Sequence, residues 1–546
     1  MRRRSFAASL LTLTLVVAGP ATSAKPPTLT GFFPAGAARG QSQAVTISGT
    51  FDHWPVQCWV DGEGLAIKPG DEKGKLTIEV AADAAPGLRW VRVHDEEGAS
   101  SPRPFLIGTL PEVAEAEPND DPRQPQPIEG SRVTVNGKLA KRGDVDGFSV
   151  TLEKGQVLAA DLEANRRLGS PMDAVLQVVS ADGFVLAQND DAVGRDPRIV
   201  FEAPAPGVYT VRLFAFPATP DSTIRFAGGD AYTYRLTLTT GGFIENAFPL
   251  AVSAESATAI RAVGPNIAET DSVLEIPAGD QSDRILLTHP SLAGDAEVRR
   301  VAGPAIVEVE PNDPATPQAL PDRGSVSGTI DPPGDRDAYR ITLKKGDARR
   351  FRLECRSFGL PLDAVLQVLD ADGKTLAEVD DSGNLNDPEV AFAPPADGDF
   401  RVVVRDLNGR GGPRHAYLLG VIAPEPDFRP SLAADAFTMT PGATTQVVVA
   451  VDRKDGHVAP IEVTAEDLPE GVAATTVVSH PADASAKVVT IELRAEASAR
   501  SGPFRVVARS ADGLAPRPAL AKLAEFEAET DRPWVTILAD PEAKKP

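Results

Sequence analysis

The sequence predicts an all-β fold of tandem β-sandwiches, and three observations lead there. Turn formers are abundant, with 49 Pro and 46 Gly in 546 residues against 3 Met, which suits many short strands joined by turns. Apolar runs rich in Val, Leu and Thr alternate with polar residues at the period of two expected when one face of a strand is buried. A long segment also recurs almost verbatim: Asp173-Ala-Val-Leu-Gln-Val-Val-Ser-Ala-Asp-Gly183 and Asp363-Ala-Val-Leu-Gln-Val-Leu-Asp-Ala-Asp-Gly373 agree at nine of eleven positions. The chain is too long for one core, and about 100 to 150 residues per domain gives four or five domains.

In chain order, residues 1–24 read as an export signal peptide. Arg2, Arg3 and Arg4 give a basic start, Leu10 to Ala18 an apolar stretch, and Thr22, Ser23 and Ala24 a small-residue cleavage site. The apolar stretch is short of the ~20 residues that span a bilayer, and no other run reaches that length. The expected mature chain is therefore secreted, periplasmic or held at the cell surface, without membrane insertion. A lipid anchor needs a Cys directly after the cut, and the first Cys is Cys58. Residues 25–110 contain Val45-Thr-Ile-Ser-Gly49 and Leu88-Arg-Trp-Val-Arg-Val93 between turn clusters, which suits a small immunoglobulin-like sandwich.

The repeat defines residues 111–241 and 305–423. Its landmarks keep one order: Glu117-Pro-Asn-Asp120 matches Glu310-Pro-Asn-Asp313, Asp144-Val-Asp-Gly-Phe148 matches Asp335-Arg-Asp-Ala-Tyr339, and Asp196-Pro197 matches Asp387-Pro388. Each copy is far longer than a solenoid unit of roughly 20 to 50 residues, so each is a complete domain. Phe148, Val150 and Leu152 alternate with Ser149 and Thr151, as Tyr339, Ile341 and Leu343 do with Arg340 and Thr342. Turns at Lys154-Gly155, Ala181-Asp-Gly183, Ala371-Asp-Gly373 and Pro206-Gly207 bound these runs, giving seven or eight short strands per copy.

Between the copies, residues 242–304 predict a small β domain. Its Phe248-Pro249 precedes Ala259-Ile-Arg-Ala-Val-Gly264 much as Phe33-Pro34 precedes Val45 to Gly49, suggesting a reduced relative of the first domain. Residues 424–541, with Thr445-Gln-Val-Val-Val-Ala-Val451 and Val488-Val-Thr-Ile-Glu-Leu493, read as a further immunoglobulin-like domain, and 542–546 as a polar tail.

With Glu115-Ala-Glu-Pro-Asn-Asp120 and Glu308-Val-Glu-Pro-Asn-Asp313, each followed by Asp-x-Asp-x-aromatic, both copies resemble the bacterial pre-peptidase C-terminal domain. The resemblance implies a jelly-roll-like sandwich found beside secreted peptidases and in other exported proteins. Residues 25–110 look like the transcription-factor-type immunoglobulin-like modules that accompany such domains. The collagen-binding modules of secreted bacterial collagenases are related, and their leading Glu-x-Glu-x-Asn-Asp segment contributes calcium ligands. This implies Glu115, Glu117, Asn119 and Asp120 in the first copy, and Glu308, Glu310, Asn312 and Asp313 in the second.

The residue types agree with that chemistry. Ca²⁺ takes six to eight hard oxygens, and an extended segment would point Glu115, Glu117 and Asn119 the same way. Asp144 with Asp146, and Asp335 with Asp337, are placed to complete the shell from an adjacent loop. The competing reading is that these are solvated, turn-forming acids beside a linker. Asp190-Asp191 and Asp380-Asp381 form a rival acidic pair, better suited to turns.

Other chemistry finds little support. A formal charge of −22 argues against a nucleic-acid partner, which would need clustered Lys and Arg. Cys58 and Cys355 fall in different domains, which argues against a disulfide, and each sits among apolar neighbours as a core residue would. The six His are scattered without metal-ligand spacing, and Gly324-Ser-Val-Ser-Gly328 puts Val326 where a nucleophile elbow needs Ser. Asp144 and Asp146 are too alike in placement to serve as an acid and base pair.

The expectation is a non-catalytic binding or adhesion protein that engages extracellular polymer, matrix protein or a cell-envelope component. The alternatives are an accessory of an exported peptidase and a cryptic hydrolase. Tyr209, Phe214, Phe216, Tyr232 and Tyr234, with Trp54, Trp59 and Trp90, are candidate contact aromatics, or else core.

Overall fold

The computed structural model describes residues 25–219, 225–279, 282–382, 387–523, 526 and 528–538. The expected signal segment and polar tail lie outside them. Nearly all regular structure is β, and no described helix is long and apolar enough to cross a membrane.

Each repeat folds into two five-stranded sheets packed face to face. In the first copy one sheet runs Glu112–Ala114, Arg132–Lys138, Thr233–Thr239, Val157–Glu163, Arg198–Glu202. The other runs Gln126–Pro127, Asp146–Leu152, Gly207–Pro217, Met172–Val179, Val185–Asn189. Setting aside the two short strands that pair in parallel at one edge of each sheet, eight antiparallel strands remain, in the orders 1-8-3-6 and 2-7-4-5. That interleaving is a jelly roll. The second copy has the same strand order throughout. The sequence pattern predicts seven or eight of these strands; the two extra ones are too short to carry a period.

Hydrophobic alternation explains the packing. Phe148, Val150 and Leu152 face the first core, and Tyr339, Ile341 and Leu343 the second, while Arg340 and Thr342 point to solvent. Asp196 and Asp387, the repeat's Asp-Pro landmarks, turn inward to cap short helical turns. Asp196 accepts from the backbone N–H groups of Ala164, Asn165 and Arg166, and Asp387 from those of Cys355, Arg356 and Ser357. Donors at a helix start have no intrahelical acceptor, so these carboxylates fix the corner between strands. Cys355 is fully buried, whereas Cys58 is half-buried against the edge of its core.

The domain at 25–110 and the small one at 242–304 share a connectivity. In the first, Thr28–Phe33 pairs antiparallel with Ser42–Thr50, and Gly36–Ala38 pairs parallel with Arg103–Gly108. In the second, Asn246–Phe248 pairs antiparallel with Thr258–Val263, and Ala251–Ser253 parallel with Ala296–Val301. A cis Phe-Pro bond joins the leading strands in both, at Phe33-Pro34 and Phe248-Pro249. Among its described residues the small domain shows no counterparts of the edge strands Gln57–Val60 and Leu65–Pro69. The chain thus alternates a small sandwich with a jelly roll, twice, before a last sandwich with its own core around Val447, Val449, Ile491 and Phe504.

Neighbouring domains share apolar contacts. Leu250 and Ala251 of the small domain are buried in the second jelly-roll core. Leu110, Ala159, Phe243 and Ala293 form a separate cluster where the first three domains meet.

Candidate metal centre

In each jelly roll, the loop after the leading strand meets the loop before the strand that starts at Asp146 or Arg336. In the first, carboxylate oxygens of Glu117, Asp120, Asp144 and Asp146 all lie within 4.8 Å of one another. In the second, Glu308, Glu310 and Asp337 do the same.

Each cluster is part buried and part exposed: Glu117, Asp120 and Glu310 face solvent and Glu308 is half-buried. Asp144, Asp146, Asp337 and Asn312 are 0% exposed and Asn119 is 1% exposed. Buried polar atoms normally find partners. Here Oδ1 of Asp146 and Asp337, Oε2 of Glu308 and both side-chain amide atoms of Asn119 and Asn312 make no hydrogen bond within the protein, and Oδ1 of Asp144 has only the Lys141 ammonium at 3.5 Å.

A glycine and a tyrosine build the floor of each cluster. Gly137 lies across from Tyr234 in the sheet, and Gly328 across from Tyr417. A Cβ at Gly137 would fall 2.1 Å from the Tyr234 ring, and one at Gly328 2.4 Å from that of Tyr417. The missing side chain lets the ring lie over the strand and aim its hydroxyl at the acids. Tyr234 Oη is 2.6 Å from Asp146 Oδ2 and 3.0 Å from Glu115 Oε2. A hydroxyl has one proton, so with both acids ionised one contact lacks a hydrogen. In the second copy Tyr339 replaces Phe148; its hydroxyl lies 2.6 Å from that of Tyr417, which reaches Asp337 Oδ2. Tyr417 is thereby occupied, and Glu308 Oε2 is left without a partner.

Electrostatics follows from the crowding. Burial, then the neighbouring Glu115, pushes Asp146 up to about 9. Burial raises Glu115 to about 7, Asp337 to about 8 and Glu308 to about 7. Asp144 is raised by burial and by its contact with Asp120. Like charges in a poorly solvated space must be neutralised by protons or by a cation. Every donor in the two clusters is oxygen, with no His or Cys, which suits a hard cation such as Ca²⁺ and not Zn²⁺. If Ca²⁺ binds, these carboxylates, with Asn119 Oδ1 and Asn312 Oδ1, are the groups that would hold it.

The twelve residues singled out from sequence are not all assembled. The leading strands end at Ala114 and Val307, so the acids lie on loops and not on the extended segment expected. Glu117 Oε2 accepts the Asn119 N–H at 2.9 Å and Glu310 Oε2 that of Asn312 at 3.0 Å, tight turns that tuck the Asn inward. Glu115 stands outside the four-residue group but touches it through Tyr234. Asp313 is a correction: it is exposed and caps a turn, accepting from the N–H groups of Ala315 and Thr316. Asp335 likewise spends its oxygens on the Asp331 and Arg336 N–H groups and lies outside the second cluster. Lys141 is an addition, 3.1 Å from Asp120 and 3.5 Å from Asp144; proline, Pro332, occupies the matching place in the second copy.

Of the aromatics, Tyr209 and Tyr234 are buried, while Phe214, Phe216 and Phe226 gather on the outer face of the first jelly roll. His457 Nε2 is 2.8 Å from Ser510 Oγ, but its Nδ1 faces the Arg453 guanidinium, where a catalytic histidine needs an acid.

Residues 144–215 match the bacterial pre-peptidase C-terminal domain family. A probable subtilase-type serine protease from Deinococcus radiodurans is 39% identical over 98 residues, 18% of this chain and 14% of that relative. The chain therefore matches about a seventh of that relative's length. Among solved structures, the periplasmic inhibitor of g-type lysozyme from Aeromonas hydrophila is 12% identical with a TM-score of 0.16, over 24% of this chain and 96% of the inhibitor. A Bacteroides ovatus mixed-linkage glucan utilization protein, SGBP-B, solved with a heptasaccharide, is 8% identical with a TM-score of 0.14, over 71% of this chain and 72% of that one.

Two outcomes are expected. Folded carboxyls raised above their unfolded values favour folding at low pH and lose that contribution as pH rises through the folded values. With chelator, the melting temperature should therefore fall as pH goes from about 5 to about 9, and the gain on adding Ca²⁺ should be larger at pH 8 than at pH 5.5. Equal gains at both pH values would contradict this. In calorimetric titration, Lys141→Ala should tighten Ca²⁺ binding by the first copy several-fold and leave the second unchanged, since the ammonium competes for Asp120 and Asp144.

Proposed function

We propose that this is an exported, non-catalytic binding protein whose two jelly rolls are stiffened by Ca²⁺ and present the assembly to an extracellular polymer, matrix protein or cell-envelope component. The observation that carries the reading is the pair of oxygen-only clusters, each with buried, unpartnered acceptors beside exposed carboxylates. The clusters lie where each jelly roll receives the chain from its preceding sandwich, so cation binding holds a domain junction.

Support for a non-catalytic role comes from the titratable groups. The described Ser–His contacts, His457 with Ser510 and His289 with Ser291, lack an acid on the second imidazole nitrogen to orient the ring. The family match at 144–215 favours an appended module over an enzyme core. A second reading, an accessory of an exported peptidase, rests on the 98-residue likeness to a probable subtilase-type protease.

The test is retention of the full chain on immobilised peptidoglycan, collagen and polysaccharides, with Ca²⁺ and with chelator, alongside casein and polysaccharide turnover. Retention on at least one polymer without turnover, weakened by chelator, is the expected result. Turnover abolished by one polar substitution would overturn it, and co-elution of a peptidase would favour the second reading.

A further inference from the structure

The first and last sandwiches touch, although nearly the whole chain separates them. Along strand Gly87–Asp95, Val91 and Val93 face the first core, so Trp90, Arg92 and His94 lie on the outer face, with Trp59 beside them on Gln57–Val60. In an isolated domain this face would meet water. Here Arg92 is 0% exposed.

Its partner is distant in sequence. Arg92 Nη2 donates to Asp435 Oδ2 at 2.8 Å, a contact spanning 343 residues, and Nη1 donates to the Ser100 carbonyl at 2.6 Å. Asp435 also accepts, through its own carbonyl, the backbone N–H of Trp534, which ties that strand to the ion pair. Trp534 meets Trp59 edge-on at 6.2 Å and His94 at 4.5 Å between ring centres. Phe526 completes the contact, 5.0 Å from Trp90 and beneath the Arg103 guanidinium at 5.4 Å.

A fully desolvated guanidinium is tolerated only with a counter-charge and hydrogen bonds, and aromatic anchors around such a pair mark the centre of an interface. We propose that the aromatic face of the first sandwich is an intramolecular docking surface for the last one, closing the five domains head to tail. The two jelly rolls lie between the clasped ends, so closure fixes their relative orientation and presents their outer faces as one rigid unit. A second contact supports the closure from another side: Phe526 of the last sandwich also lies against Gly169 of the first jelly roll, where a Cβ would fall 2.3 Å from its ring. None of the contacts named involves a residue of either acidic cluster.

Small-angle scattering with light-scattering mass measurement on the full chain tests this. The wild type should be a monomer with a compact profile. Asp435→Arg sets two guanidiniums together and should expand the particle, shifting the closed-to-open ratio by ~10²-fold or more. Arg92→Glu combined with Asp435→Arg should restore compaction, which a misfolded domain would not do. Trp59→Ala, removing one ring from the face, should expand the particle with an unchanged circular dichroism spectrum. An extended wild type, a compact Asp435→Arg variant, or a concentration-dependent dimer exchanging last domains would overturn the proposal.

Discussion

The structure turns on one electrostatic constraint: each jelly roll encloses carboxylate oxygens where water solvates them poorly. Asp146 and Asp337 are wholly buried, and each keeps one oxygen without a hydrogen bond. Leaving such charges uncompensated costs far more than a surface acid does, so the protein either holds protons there or accepts a cation. The surrounding features read as arrangements for holding that concentration of charge in place. The Glu-Pro-Asn turns tuck an amide under the acids, the strand opposite supplies a glycine, and a tyrosine crosses the gap to orient a carboxylate.

The two clusters are variations on one design. In the first, Lys141 supplies a partial counter-charge and a single tyrosine hydroxyl is divided between Glu115 and Asp146. In the second, no lysine is present at the matching place, Tyr339 contacts Tyr417, and Glu308 Oε2 has no hydrogen-bond partner. The first is thus more self-compensated than the second. Duplication extends beyond the jelly rolls, since the small sandwich before the second one repeats the connectivity of the sandwich before the first. The repeating unit is a pair of domains, with the acidic cluster at the seam between them.

Much of this was legible in the sequence, for physical reasons. Period-two alternation exposed the core strands, and Asp-Gly and Lys-Gly turns bounded them. The ordered recurrence of Glu-Pro-Asn-Asp and Asp-x-Asp located the acids. Other parts were hidden. A strand of three residues, such as Glu112–Ala114, carries no period, so the acids were placed on an extended segment when they lie on a loop. Gly328 stood out as a failed nucleophile elbow and Tyr234 as a polymer-binding aromatic; their recurrence as Gly137 with Tyr234 and Gly328 with Tyr417 was the available signal, but only the sheet register pairs them. Asp313 was carried over by analogy with Asp120, yet Pro314 and Thr316 after it favour a capped turn. The Arg92–Asp435 contact has no local signature, because its two halves become neighbours only after five domains have folded.

The central claim is that each jelly roll holds one hard cation on these buried oxygens. Terbium, which replaces Ca²⁺ and emits when a nearby tyrosine is excited, reads this directly, because Tyr234 and Tyr417 contact the two clusters. Titrating the chelator-treated full chain should give saturable, tyrosine-sensitised emission at two ions per chain, competed by Ca²⁺, with Asp146→Asn and Asp337→Asn each removing one ion. Emission that never saturates, or a stoichiometry that neither substitution changes, would contradict the account.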